Sequence, residues 1–239
     1  KTFYLPRSPI DPVGVYFSPQ TRDFYAEDFI ASYRGILILL IQKHLEFQIV
    51  TPRTLADFHG KTLVLPDVRV LDESEKSWLK TFSANNRLVI TGTDATGLAM
   101  SPNVVRFPDC PGKAYNTALE KDFEHTSPES QPDFFKSLKG TGAVVQVAAG
   151  PQVATSIART SDGHINVFFA NFAGLRGGSN PVQTPQSGVQ VTVKSKSGEK
   201  GFFLPFLGEI QEVEGVRREG SLTFTLPAIT KGAVFWIER

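Results

Sequence analysis

Apolar positions in the first half of the chain come in short solid runs separated by helical periodicity. Val13-Gly-Val-Tyr-Phe17 is a β-branched and aromatic run that stops at Ser18-Pro19-Gln20, and it predicts a strand. Phe29, Tyr33, Ile36, Leu37, Leu40 and Ile41 then recur at three- and four-residue steps. Asp23, Glu27 and Asp28 load the N-terminal turns and Lys43 and His44 the C-terminal one, the charge placement that a helix dipole favours. Phe47-Gln-Ile-Val50, Lys61-Thr-Leu-Val-Leu65 and Arg87-Leu-Val-Ile-Thr91 predict three more strands, ended by Thr51-Pro52, Pro66 and Gly92. Asp72-Glu-Ser-Glu75 opens a second helix that buries Trp78, Leu79 and Phe82. Strands apolar on both faces and separated by helices predict a parallel sheet covered on both sides.

From about residue 95 to 140 the pattern weakens. Pro102, Pro108, Pro111, Pro128 and Pro132 stand among polar residues, which predicts long loops and a short helix around Asp133-Phe-Phe-Lys-Ser-Leu138. After Gly140 short strands follow one another: 143–147, 153–158, 164–169, 188–193, 200–204, 222–226 and 233–237, with turns at Ser161-Asp-Gly163 and Ser197-Gly-Glu199. Seven strands without helical periodicity predict a two-sheet antiparallel sandwich of immunoglobulin-like type. Gln190, Thr192 and Lys194 alternate with Val189, Val191 and Val193, so that strand should turn one face to water. The change of pattern divides the chain into an α/β domain over 1–138 and an all-β domain over 139–239.

Composition narrows the function classes. The 239 residues carry 25 Lys and Arg against 24 Asp and Glu, so no excess positive field exists to attract a nucleic acid, and no local basic patch replaces it. The longest aliphatic run, 35–41, falls far short of the roughly 20 residues of a membrane span, which predicts a soluble chain. The sequence opens Lys1-Thr-Phe-Tyr without a Met, and the expectation is a piece of a longer protein. With one cysteine, Cys110, neither an intrachain disulfide nor a Cys₄ or Cys₂His₂ zinc site can form, and cysteine usage leaves the compartment open.

His44, His59, His125 and His164 are scattered without ligand spacing, so no metal and no cofactor is expected. No G-x-S-x-G, H-E-x-x-H or phosphate-loop motif occurs. Cys110 reads as a residue of a proline-bounded loop, 108–112, with no strand before it and no helix after it to activate the thiol. Gly174-Leu-Arg-Gly-Gly-Ser-Asn180 reads as a connecting loop rather than an anion nest. Phe168, Phe169, Phe172, Phe202, Phe203, Phe206, Phe224, Phe235 and Trp236 read as core, with one or two left over for a sugar-stacking surface.

The order of these elements, Gly14-Val-Tyr-Phe-Ser18, a long helix, Phe47-Gln-Ile-Val50, Lys61-Thr-Leu-Val-Leu-Pro66, Leu71-Asp-Glu-Ser74 opening a helix and Arg87-Leu-Val-Ile-Thr-Gly92, resembles the trimerisation domain of family 42 β-galactosidases. The resemblance implies a class I glutamine amidotransferase-like, flavodoxin-like α/β fold that follows a catalytic barrel and precedes a small β-sandwich. It further implies a noncatalytic accessory and assembly region of a glycoside hydrolase. Its partners would be the catalytic barrel of the parent chain and neighbouring protomers. A barrel needs about 250 residues of its own, so the catalytic carboxylates would lie outside this chain, and Asp72, Glu73 and Glu75 read as a charged helix start. Active amidotransferases place a cysteine at the elbow after the third strand; here Asp67 or Val68 stands near it, so no catalytic residue is assigned. A sheet of order 2-1-3-4 opens a crevice at the carboxyl ends of its first and third strands. Ser18, Gln20, Arg22, Asp67 and Arg69 would line it, with Thr93 and Asp94 close by, as remnants of an ancestral ligand site, an interface to the barrel, or a solvated rim. The alternative function is a carbohydrate-binding or small-ligand-binding module.

Overall fold

The computed structural model describes residues 7–138, 140, 142–194 and 200–238, and these form two compact units. One unit takes 11–40 and the described part of 47–141. The other takes 41–46 and the described parts of 1–10 and 142–239. The chain therefore passes between them four times, because the first described strand, β1 (Arg7–Pro9), and the connection 41–46 both belong to the second unit. The Ser197-Gly-Glu199 turn lies outside the described residues.

In the first unit β2 (Val13–Tyr16) leads into two helices, α1 (Pro19–Phe24) and α2 (Ala26–Gln42), where sequence periodicity predicts one. Ser18 caps α1 and the chain leaves helical geometry at Tyr25 (φ −137). Then come β3 (Phe47–Val50), β4 (Thr62–Pro66), α3 (Glu73–Asn85) and β5 (Arg87–Thr91). The segment read as loops holds two regular elements, β6 (Val104–Phe107) and the eleven-residue helix α4 (Pro111–Lys121), before the short α5 (Pro132–Ser137). The prolines that suggested loops sit outside β6 and at the first position of α4, where a missing N–H costs nothing.

The five strands run in the order β3-β2-β4-β5-β6 and every pairing is parallel. Val13, Val15, Leu63, Val64, Leu88 and Val89 are completely buried. Each such side chain contributes about 1.5–3 kcal/mol by leaving water, which is why the strands read as unbroken apolar runs. Phe29, Ile36, Leu39 and Leu40 bury one stripe of α2.

The start of α3 is fixed chemically. Asp72 accepts the Glu75 amide at 2.8 Å, while Glu75 Oε2 accepts the Asp72 amide at 2.5 Å, a complete capping box. The other oxygen, Glu75 Oε1, accepts the hydroxyl of Tyr16, which stands at the end of β2 and is 1% exposed. Burial, then the Glu75 carboxylate, push the Tyr16 hydroxyl far above the ordinary phenol range, so it stays a donor at any pH the protein meets. Tyr16→Phe should keep the packing but leave a buried carboxylate oxygen unsatisfied, at a cost of about 1–3 kcal/mol. A shift of the urea midpoint without change of slope is the measurement; no shift would mean that the bond contributes nothing net.

The second unit is antiparallel. Its strands are β7 (Val145–Ala148), β8 (Val153–Thr160), β9 (Ile165–Asn171), β10 (Gln190–Lys194), β11 (Lys200–Pro205), β12 (Gln211–Val213), β13 (Gly215–Arg218), β14 (Ser221–Thr225) and β15 (Gly232–Glu238). They form a six-stranded sheet, β1-β8-β9-β15-β11-β12, and a four-stranded sheet, β13-β14-β10-β7. Val153, Val167, Phe169, Phe203 and Phe235 of the first share one core with Val145, Val191, Leu222 and Phe224 of the second. The arrangement is sandwich-like. On β10, Val191 and Val193 are buried while Gln190 and Lys194 are exposed, as the alternation predicts. The short strands β1, β12 and β13 go beyond the sequence reading. Of the nine aromatics read as core with one or two left over, Phe169, Phe203, Phe224, Phe235 and Trp236 are buried, and Phe172 (54%) and Phe206 (58%) stand exposed.

Candidate site at the carboxyl edge of the parallel sheet

At the carboxyl ends of β2 and β4 the chain makes two sharp exits that are tied together. Ser18 accepts the Thr21 amide (3.1 Å) as the cap of α1 and donates to the Val70 carbonyl (3.2 Å). Thr21, fully buried, accepts the amides of Arg69 (3.1 Å) and Val70 (3.0 Å), so α1 holds the segment that leaves β4. Asp67 begins that segment in left-handed backbone geometry, φ 50, with its amide bonded to the Thr91 carbonyl of β5. A non-glycine residue there is strained, and Asp is among the few types that accept it.

The Asp67 side chain is 2% exposed. Its Oδ1 accepts the Thr93 amide (3.1 Å), and Arg69 grips the carboxylate through Nε (3.1 Å) and Nη2 (2.7 Å). Arg69 Nη2 also reaches Asp28 of α2 (2.9 Å), whose other oxygen accepts from Lys113 of α4 (2.5 Å). The Arg69 guanidinium lies 5.0 Å from the Tyr25 ring centre. Four charges thus alternate in sign across three elements. The Lys113 ammonium and then Arg69 hold the Asp28 carboxyl below the usual carboxylate range. Reciprocally, Asp28 raises Lys113, and Asp67 raises Arg69.

Of the six residues expected to line the crevice, Asp67 and Arg69 meet directly and Ser18 joins them through Val70 and Thr21. Arg22 pairs instead with its neighbour Asp23 (2.6 Å), and Gln20 stands exposed on α1. Asp94 belongs to a separate pair with Arg106 (2.7 Å); burial opposes its charge, but the Thr96 hydroxyl and Arg106 together hold its carboxyl below the usual range. Thr21, Asp28 and Lys113 were not singled out by sequence, although Asp28 had a visible role at the start of α2.

Cys110 requires a correction. It lies between β6 and α4, at the cap position of that helix, and not in an isolated loop. A β-carbon on Gly92 would fall 2.5 Å from the thiol sulfur and 2.6 Å from Asp67 Oδ1, so thiol and carboxylate face each other across this glycine. Burial, reinforced by Asp67 and only partly offset by the Ser32 hydroxyl, pushes the thiol above its ordinary range despite the helix N-terminus beside it. Alkylation of Cys110 should therefore be slower than that of free cysteine at neutral pH and keep accelerating at pH values where free cysteine has levelled off. A rate equal to the free amino acid's would contradict this. Beside it a cleft of about 800 Å³ opens between Phe107, Cys110, Lys113, Thr117, Gln131 and Phe134. Among the described residues no histidine lies in this network, and the carboxylates of Asp67 and Asp28 are bonded to cations, so these groups form a charge-paired network.

Elsewhere the 174–180 loop closes on itself, with Asn180 Nδ2 donating to the carbonyls of Gly174 (2.7 Å) and Val182 (3.1 Å). Among the described residues no helix is long and apolar enough to cross a membrane.

Comparison with known proteins gives a likeness of fold. The chain matches no family model and no curated protein. Among solved structures it resembles α-L-fucosidase isoenzyme 2 from Paenibacillus thiaminolyticus, with a TM-score of 0.71 at 10% identity over 99% of this chain and 50% of that one. Cycloisomaltooligosaccharide glucanotransferase from Paenibacillus sp. aligns with a TM-score of 0.32 at 12% identity over 57% of this chain and 22% of that one. The catalytic domain of GH30 xylanase C from Talaromyces cellulolyticus aligns at 0.23 and 10% identity over 87% and 57%. The chain spans half the length of the fucosidase, and at this identity the likeness speaks for the fold of the two units alone.

Proposed function

We propose that this chain is a noncatalytic accessory and assembly region of a glycoside hydrolase whose catalytic barrel lies outside it. In this reading the α/β unit, 11–40 and the described part of 47–141, is a flavodoxin-like domain of the class I amidotransferase type, and the antiparallel unit, which also takes β1 and 41–46 from the expected 1–138 domain, is its companion sandwich. The observation that supports it most is the fucosidase likeness along 99% of the chain, which leaves half of that glycosidase unmatched. The five parallel strands in the order 2-1-3-4-5 agree with a flavodoxin-like topology. At the elbow after the third of them Asp67 is locked to Arg69, so the place of an amidotransferase nucleophile is taken by an ion pair.

Assay of the purified chain against chromogenic fucosides, β-galactosides and other glycosides should give no turnover. Turnover abolished by a substitution within the chain would overturn the proposal. Sedimentation at micromolar concentration should show a monomer or weak oligomer; a concentration-independent trimer would mean that the α/β part suffices for assembly.

One observation favours a second reading, carbohydrate binding by the antiparallel unit. Phe172 and Phe206 are exposed, and the ladders of β9 and β11 against β15 bring them to the same end of the six-stranded sheet. Planar apolar rings of this kind stack on sugar faces. Retention on insoluble polysaccharide, lost in a Phe172→Ala, Phe206→Ala double variant, would establish it, and no retention would leave the assembly role.

A further inference from the structure

Residues 41–46, the last residues of α2 and the connection to β3, belong to the antiparallel unit. Two side chains attach them there. His44, 6% exposed, follows α2 in left-handed geometry (φ 55), its amide bonded to the Ile41 carbonyl at 3.1 Å. Its ring Nε2 lies 3.0 Å from the carbonyl of Ala149, just beyond β7. A carbonyl only accepts, so Nε2 carries the hydrogen and Nδ1 is the lone-pair nitrogen of a neutral ring. That Nδ1 is buried with no hydrogen-bond partner. Two residues on, Glu46 accepts the Ile157 amide at 2.6 Å, where the pairing of β1 with β8 gives way to the Ile10 amide bonded to the Ile157 carbonyl at 3.1 Å.

We propose that His44 is a proton-sensitive latch: the neutral ring holds residues 41–46 against the Ala149 turn, and acid releases that end while Glu46 keeps the other attached. Protonation would create a buried cation and turn Nδ1 from an unpaired lone-pair nitrogen into a donor. Burial opposes the charge most strongly and Lys43 adds like-charge repulsion. The Ala149 and Val153 carbonyls favour the charge but do not prevail, so the ring is held below the ordinary imidazole range. Glu46 faces the Ile157 amide, Arg7 and Ser156, yet burial raises its carboxyl above the ordinary range. A protonated carboxyl keeps a carbonyl oxygen that still accepts from Ile157.

The signs of the two ends are opposite. With the folded pKa of His44 depressed, its contribution is complete above the ordinary imidazole value and declines as pH falls from there to the folded value. Glu46, with its folded pKa raised, contributes fully below the ordinary carboxyl value and loses that contribution as pH rises through its raised one. Between the ordinary and depressed values of His44 the open fraction should rise about tenfold per pH unit and then level off.

Hydrogen exchange of the whole chain between pH 7.5 and 5, corrected for intrinsic rates, should show this rise at the amides of His44 and Val153. The Ile157 amide should stay protected and the amides of β9 and β15 unchanged. In His44→Gln, which keeps a donor but no titration, the profile should be flat. A flat wild-type profile, or an unaltered one in His44→Gln, would overturn the latch. Should that variant not fold, NMR titration of wild-type His44 decides: a value at or above that of free imidazole side chains would be fatal to the proposal.

Discussion

Alanine at Gly35 is expected to cost the α/β unit about 3 kcal/mol or more, although alanine is the better helix former by about 1 kcal/mol. The reason is the packing of α2 on α4. A β-carbon at Gly35 would fall 1.8 Å from the Gly112 carbonyl oxygen and 2.4 Å from its carbon, and one at Gly112 would fall 2.2 Å from the Ser32 carbonyl oxygen. Each glycine thus faces main chain of the other helix, which has no alternative rotamer, so an entire helix must move. Because α4 begins at Pro111, its first turn would be displaced, and with it Cys110 and the Lys113 that pairs with Asp28. Urea unfolding should show a lower midpoint for Gly35→Ala and for Gly112→Ala. The double variant should lose less than the sum, since the first insertion already separates the helices. Gly177→Ala, with nothing within 4 Å of the added carbon, is the control and should be near neutral. Stabilisation by Gly35→Ala would mean that the helices are not in backbone contact.

The strands most legible in the sequence are those buried on both faces. β4 and β5 are buried along nearly their whole length, so they appear as solid apolar runs. The start of α3 is legible because Asp72 and Glu75 stand at capping-box spacing. The helix α4 escaped because the face it buries includes Pro111, Gly112 and Asn116 alongside Tyr115 and Leu119, and a glycine chosen for close approach looks like a breaker. β1 reads Arg-Ser-Pro with all three residues exposed; only its pairing with β8 makes it a strand. At the candidate site, strand-end topology pointed to Asp67 and Arg69. Thr21, Asp28 and Lys113 come from α1, α2 and α4 and meet only in the folded chain, where no local pattern could announce them.

The network at that site should behave as structure, and substitutions at Asp67 separate its parts. Asp67→Ala is expected to cost about 3 kcal/mol: Arg69 keeps only Asp28, the Thr93 amide loses its acceptor, and alanine is strained at φ 50. Arg69 is 28% exposed, so water compensates part of the loss and the figure falls at the low end for a broken buried pair. Asp67→Gly loses the same bonds but relaxes the left-handed backbone and should be milder by about 1 kcal/mol. Asp67→Asn keeps an acceptor for Thr93 and tolerates the geometry, and should fall between wild type and glycine. The reverse truncation, Arg69→Met, strands a 2% exposed carboxylate and should cost about 3–5 kcal/mol. An Arg69→Met, Asp67→Gly double variant should cost less than the two singles combined, because neither charge is then left alone. Acid tests the outer part of the chain of charges. Asp28, held low by Lys113 and Arg69, contributes above the ordinary aspartate value and loses that contribution as pH falls through its lowered one, so the coupling between Asp28→Asn and Arg69→Met should vanish in strong acid and persist at neutral pH. If all the Asp67 variants were as stable as wild type, the network would not hold the fold, and a left-handed, fully bonded aspartate at a strand end would need a ligand to account for it.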